Sequence, residues 1–310
     1  MGACPQIRSQ IRSDSPQIRR TDSAMLKEFT PQVVSVCAYP GDREAMCLAA
    51  LTNGARILWI EQPLATDVGA ARRILAAAAQ HGARVVVNHK RRYGAPIVAF
   101  LNEVATPIGE LISVDVVQPC PNLMDFGPHL IDIALACFPA EPIRAQAGGA
   151  RDPGRSHHGL AQELWLIGSV HFADGTRLSV ESGNNLPKAS PIIRAHGSLG
   201  FTELHVSVPA GAQSVLRVQA TNSATIENPP FSEHFHHPID PAHGNAYYDR
   251  LLADVLTAVR NETPCRVDGM HALRGLEILL GLYNSAAQNQ HMTWPLTAEG
   301  FPWQECPPLA

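Results

Sequence analysis

Val33-Val34-Ser35-Val36-Cys37-Ala38, Ile57-Leu58-Trp59-Ile60 and Val85-Val86-Val87 are three short apolar runs, and what lies between them decides the fold. Each is short enough for a strand and apolar throughout, the pattern of a strand buried on both faces. The first closes in the turn Tyr39-Pro40-Gly41, after which Asp42 is placed to cap a helix with its carboxylate. Between the second and third runs, residues 67–81 form an Ala-rich helical stretch with Asp67 at its start and Gly82 just beyond its end. Buried strands alternating with helices predict a parallel sheet covered on both sides.

The character changes after about residue 110. A helical stretch at 126–138 precedes strand-like runs near 163–173, 176–182 and 190–196, with Asp174-Gly175 as a hairpin turn. Two helices finish the chain. One, near 245–260, carries Leu251, Leu252, Val255, Leu256 and Val259; the other, near 268–287, carries Leu273, Leu276, Leu279 and Leu280 behind a capping Asp268. The expected class is α/β plus α+β: a partial, second-half Rossmann-like parallel sheet, then a substrate domain with a large, mostly antiparallel sheet flanked by helices. The expected divisions are 1–22, 23–105 and 106–310. Residues 1–22 read as a loosely attached or disordered arm, because Pro5-Gln6-Ile7-Arg8 recurs as Pro16-Gln17-Ile18-Arg19 in a polar, Arg- and Ser-rich setting with little to bury.

Composition narrows the function classes. A net charge of −4 and no basic stripe argue against nucleic acid, and no apolar run approaches a membrane span. Seven cysteines, an odd number without C-x-x-C, suggest reduced thiols and a cytoplasmic protein.

A doubly wound dinucleotide domain carries its phosphate-binding glycine turn in its first half. No G-x-G-x-x-G follows a strand in this sequence, and Gly148-Gly149 reads as a loop without the pattern. The three strands therefore read as the second half of such a sheet. The strand at 33–38 is then left with an edge for the N-terminal arm, a partner chain or nothing to cover.

Several motifs in order resemble one family. They are Pro31-Gln32-Val33-Val34-Ser35-Val36, Tyr39-Pro40, Glu61-Gln62-Pro63-Leu64-Ala65, Asn88-His89-Lys90-Arg91-Arg92-Tyr93, Pro107-Ile108-Gly109-Glu110 and Asp125-Phe126-Gly127-Pro128-His129-Leu130-Ile131-Asp132, with the final Leu-rich helices. Together they resemble the glucose–fructose oxidoreductase/inositol dehydrogenase (Gfo/Idh/MocA) family from about residue 21 onward. The resemblance implies a nucleotide domain followed by a substrate domain, with hydride transfer between NAD(P) and a sugar or polyol. It implies that Asp125 and His129 work on a substrate hydroxyl and that Asp132 is a further substrate-binding acid. The family's lysine after the glutamate is Gln62 here, and the histidine after its T-P turn is Arg43.

Asp125, His129 and Asp132 fall at i, i+4 and i+7, so a helix places them on one face. An imidazole oriented by a carboxylate suits proton transfer to or from a hydroxyl, although Asp125 also reads as an N-cap and His129 as a core residue. Gln62 can hold a substrate oxygen but cannot relay a proton. Arg92 and Tyr93 are candidates to bind substrate, and Arg91-Arg92 to meet an anion; a surface loop explains them equally well. His234, His236, His237 and His243 lie in a Pro-rich stretch without zinc-type spacing, which favours a loop over a metal site, and His157-His158 carries still less.

Three readings follow. The favoured one is cofactor-independent acid–base chemistry (elimination, isomerisation or cyclisation) on a small hydroxylated substrate, with no cofactor expected. The second is a non-catalytic ligand-binding or regulatory subunit. The third is an NAD(P)-dependent sugar or polyol dehydrogenase, with the glycine turn supplied upstream or by another chain. A homo-oligomer is expected, through the C-terminal sheet or through a partner covering the strand edge.

Overall fold

The structure is a computed structural model that describes residues 22–303, except 106–107, 120–122, 158–159, 188, 207–213, 221–235, 238–245 and 297–299. Helix α1 (Asp22–Phe29) leads into β1 (Val33–Val36), followed by α2 (Arg43–Thr52), β2 (Ile57–Ile60), α3 (Val68–Gln80) and β3 (Arg84–Val87). The strands form a parallel sheet in the order β1-β2-β3. Leu58, Ile60, Val87 and Ile74 of this layer are fully buried. On β1, Val33 is exposed and Val36 buried, as befits an edge strand rather than one buried along its whole length.

Local chemistry sets the helix starts. Asp67 caps α3, its Oδ1 accepting from Ala70 N at 2.7 Å. Asp42 does not do the same: Pro40–Asp42 winds a 3-10 turn, Asp42 is already in the αR region, and its side chain makes no cap bond. A capping carboxylate needs extended backbone at its own residue, and the turn removes it.

After α4 (Ala95–Ala105) the chain builds β4 (Leu111–Gln118), α5 (Gly127–Leu135), β5 (Pro142–His157), β6 (Leu160–Phe172), β7 (Arg177–Ser182), β8 (Ile192–Gly197), β9 (Gly200–His205), β10 (Ser214–Ala220) and β11 (His236–His237). Helices α6 (Ala246–Asn261) and α7 (Gly269–Gln288) and the short β12 (Met292–Thr293) follow. The second sheet runs β11-β10-β9-β8-β4-β7-β6-β5-β12 and is antiparallel except for β4 beside β7. The Asp174-Gly175 turn joins β6 to β7 as expected, with Gly175 at φ 87°.

Helix α7 lies along β5 and β6, and the approach is close. A Cβ on Gly168 would stand 2.7 Å from Leu282 of α7 and 2.6 Å from Ala147 of β5, so a larger residue there would push helix from sheet. Gly148 and Gly149 belong to β5, not to a loop. His236-His237 pairs with Ser214-Val215 as a strand, while His234, His243 and His158 lie outside the described residues. On α6, Leu251 and Val255 are buried, whereas Leu252, Leu256 and Val259 are exposed, so its apolar face is broader than the one it buries.

Candidate active site

The C-terminal ends of β1 and β2 point at the turn that precedes α5, and a pocket of about 550 Å³ opens between them. Open parallel sheets place ligands at this end because the loops leaving the strands diverge there. Ala38, Tyr39, Arg43, Gln62, Met124 and Asp125 are among its walls. Two of the residues expected at the site, Gln62 and Asp125, thus meet on one pocket from opposite domains.

Arg43 is 4 % exposed. Its guanidinium donates to Ala38 O at 3.0 Å and to Pro63 O, tying the loop after β1 to the loop after β2. Burial lowers its pKa to about 10, with Glu61 opposing the shift, and it remains a cation at neutral pH. Gln62 Oε1 is buried without a hydrogen-bond partner among the described residues, an acceptor available to a ligand. Glu61 accepts from Asn88 Nδ2 at 2.5 Å.

Asp125 stands outside the helix expected to carry it. Helix α5 begins at Gly127 with Phe126 as its N-cap, so Asp125 lies in the preceding turn, exposed, and does not cap the helix. His129 sits in the first turn of α5. Its ring meets His89 edge-on at 5.7 Å and Phe126 at 5.9 Å between centroids. Burial, with help from His89 and Arg91, lowers its pKa well below the usual imidazole value, so it is neutral at pH 7.

Asp132, one turn further along, is 3 % exposed. Its Oδ1 lies 3.3 Å from Arg92 Nη1 and 3.0 Å from His271 Nε2. Burial alone would raise its pKa, but His89, Arg92 and His271 outweigh that and hold the carboxylate below its usual value. Arg92 is consumed by this pair and by the carbonyls of Asp132 and Arg266. Tyr93 donates its hydroxyl to Asp254 Oδ2 at 2.7 Å, on α6. Neither lines the pocket, and His129 and Asp132 also stand behind its walls. Both are buried in a 3-10 turn (Lys90–Tyr93) rather than displayed on a surface loop, and Arg91 is half-buried with its guanidinium over Phe126 at 4.6 Å.

Sequence reasoning missed two members of this cluster, His89 and His271. His271 follows the capping Asp268, whose Oδ1 accepts from His271 N at 2.8 Å, and nothing in its neighbourhood marks it as a partner of Asp132. Also unread was Glu163 on β6, fully buried, whose carboxylate accepts from Leu123 N at 2.6 Å, Ser182 Oγ at 2.7 Å and Tyr283 OH at 2.9 Å. It ties down the turn that ends in Asp125. Among the described residues, no group of His, Cys, Asp or Glu is arranged to hold a metal ion, and no helix is long and apolar enough to cross a membrane.

With this geometry in hand, residues 9–89 match the family model described as oxidoreductase family, NAD-binding Rossmann fold, and residues 115–294 match the companion C-terminal alpha/beta domain. The chain belongs to the Gfo/Idh/MocA oxidoreductase family. It is 30% identical over 159 residues to an inositol 2-dehydrogenase of Cereibacter sphaeroides, an alignment covering 48% of this chain and 47% of that protein. The chain thus spans about half the length of the curated relatives it matches. Its fold is that of an aldose–aldose oxidoreductase from Caulobacter crescentus, solved with glycerol (TM-score 0.72, 16% identity, 87% of this chain and 82% of the other). An oxidoreductase from Agrobacterium radiobacter, solved with NAD+, L-tartaric acid and magnesium, gives a TM-score of 0.70 at 15% identity, covering 87% and 82%.

The NAD-binding domain match overturns the expectation that this chain takes no cofactor, and it favours the dehydrogenase alternative over cofactor-independent acid–base chemistry. The residues present fit the nicotinamide end. The pocket stands where the strands of the parallel sheet end, and the unpartnered Gln62 Oε1 can accept a carboxamide hydrogen there. The missing glycine turn, which with Gln62 and Arg43 in place of the family's lysine and histidine underlay the expectation of no cofactor, serves the pyrophosphate and not the nicotinamide.

Proposed function

We propose that this chain is an NAD(P)-linked oxidoreductase that acts on a secondary alcohol of a small polyhydroxylated compound. The observation that carries the reading is the convergence of Gln62, from the end of β2, and Asp125, from the turn before α5, on one pocket. NAD(P), when bound, supplies the two-electron acceptor. Gln62 and the loop held by Arg43 would bind its nicotinamide, and this chain's other site residues handle the alcohol.

Asp125 accepts hydrogen bonds from substrate hydroxyls and orients the ring. His129, neutral before the reaction, takes the hydroxyl proton as the carbon loses hydride. Gln62 cannot take that proton, so the acid–base work falls to the imidazole. Asp132 stabilises the imidazolium through charge alone, its Oδ1 being turned to Arg92 and His271. The similarity to inositol 2-dehydrogenases supports a cyclic polyol or sugar as the substrate class.

The test is reduction of NAD+ or NADP+ by the purified chain with a panel of inositols, aldoses and aldonates. Turnover with one class, at least a hundredfold lower in His129→Ala with NAD(P) binding retained, is the expected result. Bound cofactor with no turnover on any polyol, or full activity in His129→Ala, would sink it.

A further inference from the structure

Beneath α5, a small cavity of about 10 Å³ is bounded by Pro63, Leu64, His89, Pro128, Asp132 and His271 among others. That is roughly the space one water needs, and a water there also needs two or more polar partners. They are present: Asp132 Oδ2 and His89 Nδ1 are both buried without a hydrogen-bond partner among the described residues, and so is His129 Nδ1. The ligand set does not suit a metal.

His271 adds a second feature. Its Nε2 lies 3.0 Å from Asp132 Oδ1 and 2.9 Å from Arg92 Nη1. One ring nitrogen cannot satisfy both at once: with a hydrogen it donates to Asp132, and without one it accepts from Arg92. The His271 side chain, 19% exposed, is also the more open end of the cluster, whereas that of Asp132 is only 2% exposed.

We propose that this cavity binds one ordered water between Asp132 and His89, and that His129, His89, the water and the Asp132–His271 pair form a proton path from the active site to solvent. The proposal rests on the reading that His129 accepts the substrate proton. That proton makes an imidazolium where burial, His89 and Arg91 all disfavour one. It passes to His89, whose ring stands edge-on to that of His129 with centroids 5.7 Å apart, when a turn of either ring brings their nitrogens together, and then through the water to the Asp132–His271 pair. For each proton gained at His129 one leaves at His271. No electrons move along the path, and the hydride goes to the nicotinamide.

A high-resolution crystal structure of the chain should show a water within hydrogen-bond distance of Asp132 Oδ2 and His89 Nδ1. In nitrogen-15 NMR spectra of the resting protein, exchange of the His129 ring proton with solvent should slow at least tenfold in His89→Phe. Added imidazole should restore it, and His89→Gln, which keeps a polar atom facing the water, should give a smaller loss if the phenylalanine variant folds poorly. A dry cavity, or exchange in both variants equal to wild type, would overturn the proposal. Absence of polyol turnover with the water and the slowed exchange in place would instead sink the functional reading alone.

Discussion

Replacing Arg92 by Met tests the buried centre of this site. The substitution removes the guanidinium and leaves the Asp132 carboxylate, with 2% of its side chain exposed, beside His271 alone. Removing one partner of a buried ion pair costs about 3–5 kcal/mol, because the remaining charge stays desolvated. The lower end applies, since His271 still faces Oδ1. At about 2–4 °C per kcal/mol for a chain of this size class, the melting temperature should drop by roughly 6–12 °C. The double variant Arg92→Met/Asp132→Leu removes the stranded carboxylate. The carbonyls of Asp132 and Arg266 still lose this donor, for which about 1–3 kcal/mol of the cost should persist. Urea unfolding of wild type, the single variant and the double variant measures both quantities. A single variant costing under about 1 kcal/mol, or a double variant less stable than the single, would refute the argument that Arg92 exists to neutralise Asp132.

Acid should destabilise the fold between neutral pH and about 5. The pKa values of His89 and His129 are lowered in the folded protein, chiefly by burial, so the unfolded chain binds protons first as pH falls below about 6.5. Each can remove up to about 1.4 kcal/mol per pH unit, and His89→Phe/His129→Phe should flatten the dependence in urea titrations; an unchanged slope would contradict it. Glu163→Leu should cost about 2–4 kcal/mol, because three donors lose one acceptor, whereas Glu163→Gln keeps the oxygen that takes Leu123 N and Ser182 Oγ. Equal losses in the two variants would show that the bonds to that oxygen are unimportant. Gly168→Leu should unfold the chain or block its expression, given the 2.7 Å approach of Leu282, and a soluble variant of native melting temperature would deny that contact.

Much of the frame was readable because it rests on local physics. The three parallel strands are apolar on both faces, Asp67 and Asp268 cap as short acceptors must, and Asp174-Gly175 turns a hairpin. Strand β5 escaped notice because it starts at Pro142, holds Gly148, Gly149, Pro153 and Gly154, and slips register at three places against β6. Such a strand is held by its 13-residue neighbour and by α7, not by its own propensity. At the site, Gln62, Asp125 and His129 were singled out through motif order, and of these Gln62 and Asp125 line the pocket. The spacing argument then erred at Asp125, because the helix starts two residues later than the periodicity implies. His89 and His271 were invisible because their partnership with Asp132 exists only once β3, α5 and α7 are packed together.

The central claim is that the pocket at the ends of β1 and β2 receives the nicotinamide. Saturation-transfer NMR of NAD+ with the intact chain measures which half of the cofactor touches the protein. The account predicts strong transfer to the nicotinamide protons, lost in Gln62→Leu/Arg43→Ala. Transfer confined to the adenine protons, or none at saturating NAD+ and NADP+, would contradict it.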